Sequence, residues 1–198
     1  MSNYLIIGLG NPGEEYEGTR HNAGGMAVDF FHEQLQFPEW KLDGAAQALV
    51  SKEKVGKHSV ELALPETFMN RSGNAVSFLL KARKIQPEMM IVVYDDIDLP
   101  LGTLKISFDR GSGGHRGIES IIKSIKTKAF IRIRIGVLPT TPTGKPRKPQ
   151  GEEKIIKFLM GTFSKDEQVS LKKIFKKTNE AIEIILMEGR EKAMNVFN

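Results

Sequence analysis

The chain has 198 residues, 40% of them apolar, and 29 Lys and Arg against 24 Asp and Glu give a formal charge of +5. That length buries one sizeable core, and a single domain over residues 1–198 is expected. The apolar runs are too short to span a bilayer and no charged-then-apolar leader precedes Leu5, so a cytoplasmic protein is expected, while the lack of cysteine excludes disulfides, thiol nucleophiles and thiolate metal sites.

Tyr4 to Leu9 is an apolar run of strand character that breaks at Gly10-Asn11-Pro12-Gly13 and leads, through Thr19-Arg20-His21-Asn22, into a helical pattern. Ala23, Met26, Ala27, Phe30, Phe31 and Leu35 recur at helical spacing, which predicts a helix from about Asn22 to Gln36. Ala45 to Lys52 and Ser59 to Leu64 read as two strands joined through Val55-Gly56-Lys57. Pro65 ends the second, and a loop Glu66 to Gly73 follows. Ala75, Val76, Leu79, Leu80 and Arg83 mark a second helix, stopped at Ile85-Gln86-Pro87.

Met89 to Tyr94 is continuously apolar, as in a strand covered on both faces, and empties into the turn-rich Asp95 to Gly102. Thr103 to Phe108 alternates like a strand. After Gly111 to Gly117 a short helix carries Ile118, Ile121, Ile122 and Ile125 on one side. Phe130 to Leu138 is another strand, with Arg132 and Arg134 on one face by period two. The segment at about 139–150, with four prolines, Lys145, Arg147 and Lys148, reads as an exposed loop. Ser164 to Glu167 is a capping box opening a helix whose inner face should carry Val169, Leu171, Ile174, Ile182, Ile185 and Leu186, and Ala193 to Phe197 should dock as a last turn. Strands and helices alternate. This predicts an α/β fold, a single twisted, mostly parallel (mixed) sheet flanked by helices. Such sheets place ligands outside the carboxyl ends of their strands, where Asn11, Phe68 to Asn70, Asp95 and Gly113 to Arg116 would meet if their strands are parallel. The segment Thr103 to Phe108 could instead pair back on Met89 to Tyr94 as a hairpin.

Gly8 to Gly13 matches the G-x-G-x-x-G dinucleotide pattern, but the helix does not start at once and Glu14, Glu15 and Glu17 would repel a phosphate. His21 is a candidate general base whose place at a helix start favours the neutral imidazole. Asp95, Asp96 and Asp98 have three readings: a Mg²⁺ site, a carboxylate that orients the base, or plain turn formers. Asn11 and Asn70 could place a carbonyl and stabilise its oxyanion. The Gly113-Gly114 turn is a candidate anion nest, with His115 free to face either substrate or backbone. Between Pro139 and Lys177 ten Lys or Arg stand against four Asp or Glu, which fits either a polyanion partner or a solvated helix face.

With these residues in place, the chain resembles the bacterial peptidyl-tRNA hydrolase family along almost its full length. The segments GLGNPGEEYEGTRHNAG, PETFMNRSG, DDIDLPLG, GSGGHRG and FIRIRIGV stand in the family's order and spacing. The resemblance implies a monomeric cytoplasmic esterase that frees the peptide from peptidyl-tRNA and recycles the tRNA of stalled or aborted translation. It implies no metal, no organic cofactor and no obligate protein partner. It implies His21 as the base that activates water, Asp95 as the carboxylate stabilising it, and Asn11 as the amide that tells blocked from free ends. Tyr16, Phe68 and Asn70 match substrate-contacting positions, with Met69 beside them as a further binding residue, His115 and Arg116 of the glycine-rich loop are counted with the substrate- and tRNA-binding residues, and Arg134 matches a tRNA phosphate position. Two residues depart from the pattern. Arg116 stands where the family commonly has Asn, and Ser107 where it is usually basic.

Overall fold

Leu5 to Ile7 and Met90 to Val93 lack polar alternation because both of their sides are covered. In the computed structural model, which describes residues 2–139 and 148–198, they form the adjacent central strands β1 (Asn3–Gly8) and β5 (Met90–Pro100), paired in parallel. The other strands are β2 (Lys41–Asp43), β3 (Ala48–Val55), β4 (His58–Pro65), β6 (Leu104–Phe108) and β7 (Ile131–Leu138). They make one sheet of order β2-β3-β4-β1-β5-β7-β6, in which β4, β1, β5 and β7 run parallel, while the β2–β3, β3–β4 and β7–β6 pairings are antiparallel. The expected mixed α/β sheet is what forms.

The helices are α1 (Ala23–Gln34), α2 (Ser72–Arg83), α3 (Arg116–Ile125), α4 (Glu152–Leu159), α5 (Lys165–Glu188) and α6 (Arg190–Phe197). Period two divides the core between them. Ile6, Ile91, Val93, Ile133 and Ile135 pack with α1 and α5, whereas Leu5, Ile7, Met90, Val92 and Tyr94 pack with α2 and α3.

Several expectations need correction. Thr103 to Phe108 does not fold back on Met89 to Tyr94; as β6 it pairs antiparallel with β7 at the sheet edge. Asp95 to Pro100 is not a loop, because β5 continues through it beside β7, with a register shift between Asp96 and Pro100. Val169 is 58% exposed. It lies two residues from Leu171, on the far side of a 3.6-residue turn from the Leu171, Ile174, Ala181 and Ile185 stripe. Helix α4 falls in a stretch with no assigned element, and β2 is too short to carry a pattern. Of the expected loop at 139–150, residues 140–147 lie outside the described residues.

One packing detail sets the site. A Cβ on Gly24 would sit 2.2 Å from the Val93 carbonyl oxygen, and one on Gly8 would sit 2.9 Å from the Gly24 carbonyl oxygen. The first turn of α1 therefore lies directly on the backbones of β1 and β5, an approach only glycine permits. Backbone N–H bonds from Gly25 to Leu9 (2.9 Å) and from Leu9 to Val93 (3.0 Å) complete the seam. Gly24→Ala is expected to cost about 1–3 kcal/mol by overpacking, whereas Gly44→Ala, with nothing within 4 Å of its Cβ, should be silent. Urea denaturation checks both, and equal midpoints for the two variants would contradict the seam.

Candidate active site

Because α1 begins against β5, the residue three positions before Gly24 arrives beside the residue two positions after Val93. These are His21 and Asp95. His21 sits in a single 3₁₀ turn, Arg20–Asn22, which feeds α1, and the loop carrying it is tied down on both sides. Arg20 donates to both carboxylate oxygens of Glu167 (3.1 and 2.9 Å), its backbone N–H bonds the Gly161 carbonyl (3.0 Å), and its guanidinium lies over the rings of Phe158 and Phe163. Glu167 is the same residue that closes the Ser164 capping box of α5. Asn22 clamps the backbone of Asn11: its Oδ1 accepts the Asn11 N–H (2.8 Å) and its Nδ2 donates to the Asn11 carbonyl (3.0 Å).

His21 and Asp95 are 6% and 1% exposed, and His21 Nδ1 lies 2.9 Å from Asp95 Oδ1. An ionised carboxylate only accepts, so Nδ1 carries a proton, and in the neutral ring Nε2 keeps its lone pair. A second imidazole reaches the same oxygen: His115 Nε2 lies 3.0 Å from Asp95 Oδ1. Burial pulls the His21 pKa down, but the Asp95 charge and hydrogen bond outweigh it and the net shift is upward, with Arg116 opposing. The helix start does not decide the matter; the carboxylate does. Burial pushes Asp95 up, yet His21 and His115 beside it hold its carboxyl far below the usual range. The signs follow. The His21 contribution to stability is full below the ordinary imidazole range and fades as pH rises through the raised value; that of Asp95 is lost only as pH falls through its depressed one.

Among the described residues, His21, Asp95 and His115 are the one set arranged to hold a metal ion, their ligand atoms all within 4.8 Å of one another. An ion there would displace the two N–H protons now directed at Asp95. The Asp95, Asp96 and Asp98 carboxylates do not assemble as a Mg²⁺ cluster, since Asp96 accepts from Arg134 Nε (2.6 Å) and Asp98 pairs with Lys148. Nor do the early glycines make a dinucleotide site. The chain after Gly13 enters a 3₁₀ turn, Glu14–Tyr16, and Gly10 packs on the Asn22 side chain.

His21 and Asp95 open on a cleft of about 850 Å³ lined also by Lys105, Arg110, His115, Arg116, Arg132, Arg134 and Lys148. Lys148 is the one Lys or Arg of the basic Pro139 to Lys177 segment on that wall among the described residues. The lysines of α5 at 172, 173, 176 and 177 are exposed along the helix. The basic wall comes instead from β6 and β7, where register sets Lys105 directly opposite Arg134. Like charges so placed repel, a cost that an anionic ligand removes.

Asn11, Tyr16, Phe68, Met69 and Asn70 are not part of that cleft lining. Asn11 Oδ1 accepts the Met69 N–H (2.8 Å), which fixes the amide with its Nδ2 donor turned away from that bond. Met69 is buried against Leu9 and close to Gly117. Phe68 is 53% exposed and meets Tyr16 edge to face at 6.3 Å, and Asn70 is exposed in the turn Met69–Arg71. Arg116 reaches over to Glu152 on α4 at 2.5 Å. Sequence reasoning passed over Arg20, Asn22 and Arg132. Arg132 is 1% exposed and donates to the carbonyls of Gly111 (2.6 Å) and Arg110, pinning the glycine-rich loop to the sheet. The signal for Arg132 was its period-two partnership with Arg134; Arg20 and Asn22 carried none beyond adjacency to His21.

A family description reading peptidyl-tRNA hydrolase matches residues 5–198. The peptidyl-tRNA hydrolase of Aquifex aeolicus is 42% identical, over 98% of this chain and 95% of that protein. That of a Sulfurihydrogenibium species is also 42% identical, over 98% of this chain and 96% of its own. The crystal structure of peptidyl-tRNA hydrolase from Acinetobacter baumannii superposes with a TM-score of 0.88 at 31% identity, covering 98% of this chain and 94% of that one. With the family match over residues 5–198 and the fold match over 98% of the chain, the chain belongs to the peptidyl-tRNA hydrolase family.

Proposed function

We propose that this protein hydrolyses the ester between a peptide and the 3′-terminal ribose of tRNA, with His21 as general base. The observation that carries the reading is the buried His21 to Asp95 hydrogen bond, which assigns the proton of the neutral ring to Nδ1 and the lone pair to Nε2, on a residue that lines a basic cleft. His21 Nε2 takes a proton from water as the water oxygen attacks the ester carbonyl. The tetrahedral intermediate then collapses, and the proton returns from the imidazolium to the departing ribose oxygen. Asp95 holds the imidazole in the required tautomer and stabilises its charged form.

The Asn11 amide, oriented by the Met69 N–H, offers its free donor to the peptide end, and Asn70 offers a second amide to the developing oxyanion. Tyr16 and Phe68 wall the peptide side. The tRNA acceptor stem lies along Lys105, Arg110, Arg116 and Arg134, where phosphates relieve the Lys105 to Arg134 repulsion. The enzyme acts as a monomer in the cytoplasm, needs no metal, organic cofactor or protein partner, and returns tRNA to translation. No helix of the described chain is long and apolar enough to cross a membrane.

Turnover of an N-blocked aminoacyl-tRNA tests the activity. His21→Ala should lower kcat by ~10²–10⁴-fold, the usual worth of a general base. Wild-type protein that binds this tRNA without releasing its acyl group would make the chain an RNA-binding module instead. Affinity for tRNA should fall steeply with added salt, because each phosphate contact releases counterions, and Arg134→Gln should flatten the slope by about one contact. A salt-independent affinity would remove the basic wall from the account.

A further inference from the structure

His115 makes two hydrogen bonds, and together they fix its tautomer. At the N-cap of α3 its Nδ1 accepts the backbone N–H of Ile118, 3.3 Å away. A ring nitrogen that accepts carries no proton, so the proton of the neutral ring is on Nε2. That N–H meets Asp95 Oδ1, the oxygen that also accepts from His21 Nδ1. Oδ2 of Asp95 is buried and has no partner among the described residues. One oxygen thus divides its charge between two imidazoles. A donor to an ionised carboxylate stabilises the charge where it is, and so weakens its pull on any other proton nearby.

We propose that His115 is a positioning residue that sets the basicity of His21 by sharing Asp95 Oδ1 with it. The inference rests on the hydrolase reading above and adds a role within it. Without His115, Asp95 would hold the His21 proton more tightly and leave less of the base neutral. His115 acts through Asp95 and does not touch the ester. Its side chain is 8% exposed, its ring lies 5.0 Å from that of His21, and Tyr94 packs edge-on against it at 4.8 Å. The loop that delivers it comes from an unexpected end of the sheet. Phe108 pairs with Ile131 while Asp95 pairs with Ile135, so residues 109–114 must travel back ~13 Å along β7. Arg132 secures that path through the Arg110 and Gly111 carbonyls.

The charged groups around His21 are accounted for. Asp95 on β5 and His115 face it, and Arg116 on α3 opposes its protonation while paired with Glu152 of α4. Asp96 and Asp98 are neutralised by Arg134 and Lys148.

His115→Asn separates the two bonds. Asn caps helices well through its own oxygen, but its shorter side chain falls short of Asp95. Imidazole NMR titration of the two proteins should show the His21 pKa higher in the variant by about 0.5–1 unit, the scale on which one lost donor acts. Nitrogen shifts in the wild type should show His115 protonated on Nε2. An unchanged or lower His21 value in the variant, or wild-type His115 carrying its proton on Nδ1, would overturn the proposal. The tautomer measurement decides alone should the variant not fold. Neither readout needs turnover, so a failed hydrolysis assay with the expected titration would count against the hydrolase reading and not against this coupling.

Discussion

The seating of α1 on the bare backbones of β1 and β5 is the constraint from which the rest follows. Gly8 and Gly24 remove the side chains that would otherwise hold the helix off the sheet, and a Cβ at Gly24 would collide with the Val93 carbonyl at 2.2 Å. Once that contact is made, the chain before the helix has little freedom. Arg20 must leave toward Glu167, Asn22 must face Asn11, and His21 must point at Asp95. The base and its carboxylate meet because backbone meets backbone.

The sheet order explains why the chemistry collects at this spot. The connections after β1 and after β4 lead to opposite sides of β1, so a crevice opens outside the carboxyl ends of β1 and β5. His21 and Asn11 enter it from the loop after β1, Asp95 from β5, and Met69 from the turn after β4. The glycine-rich loop reaches it by a different route, since β6 runs antiparallel to β7. That route needs the buried Arg132, a costly charge to bury unless its hydrogen bonds are met. Three of the cleft's cations already face carboxylates, Arg134 with Asp96, Lys148 with Asp98 and Arg116 with Glu152. An incoming phosphate competes with groups already in place.

Much of this was legible in the residues and some was not, for physical reasons. The central strands announced themselves because runs such as Leu5 to Leu9 and Met90 to Tyr94 have no polar face. Asn11, His21 and Asp95 stood out as polar groups at the ends of such runs. Register was not legible. Nothing local to Thr103 to Phe108 says whether it pairs with β5 or β7, and that choice alone determines how His115 approaches Asp95. Val169 is apolar in the right neighbourhood but on the wrong side of its turn. Local charge misled about the basic wall: the α5 lysines of the lysine-rich segment face solvent, whereas cations separated in sequence, Lys105 and Arg134, are brought together by pairing. The helix start at His21 was legible, but the Asp95 carboxylate that raises its pKa comes from β5, 74 residues away, and no local pattern shows it.

The central claim is that Asp95 governs the protonation of His21. The pH dependence of kcat/KM for an N-blocked aminoacyl-tRNA, measured for the wild type and for Asp95→Asn, tests it most directly, because that profile reports the free enzyme's base. The wild-type acid limb should lie above the ordinary imidazole pKa of about 6.5, since the carboxylate raises His21. In Asp95→Asn burial acts without its counterweight, so the limb should move to lower pH while the plateau falls. An acid limb that stays in place when the carboxylate is removed would contradict the account.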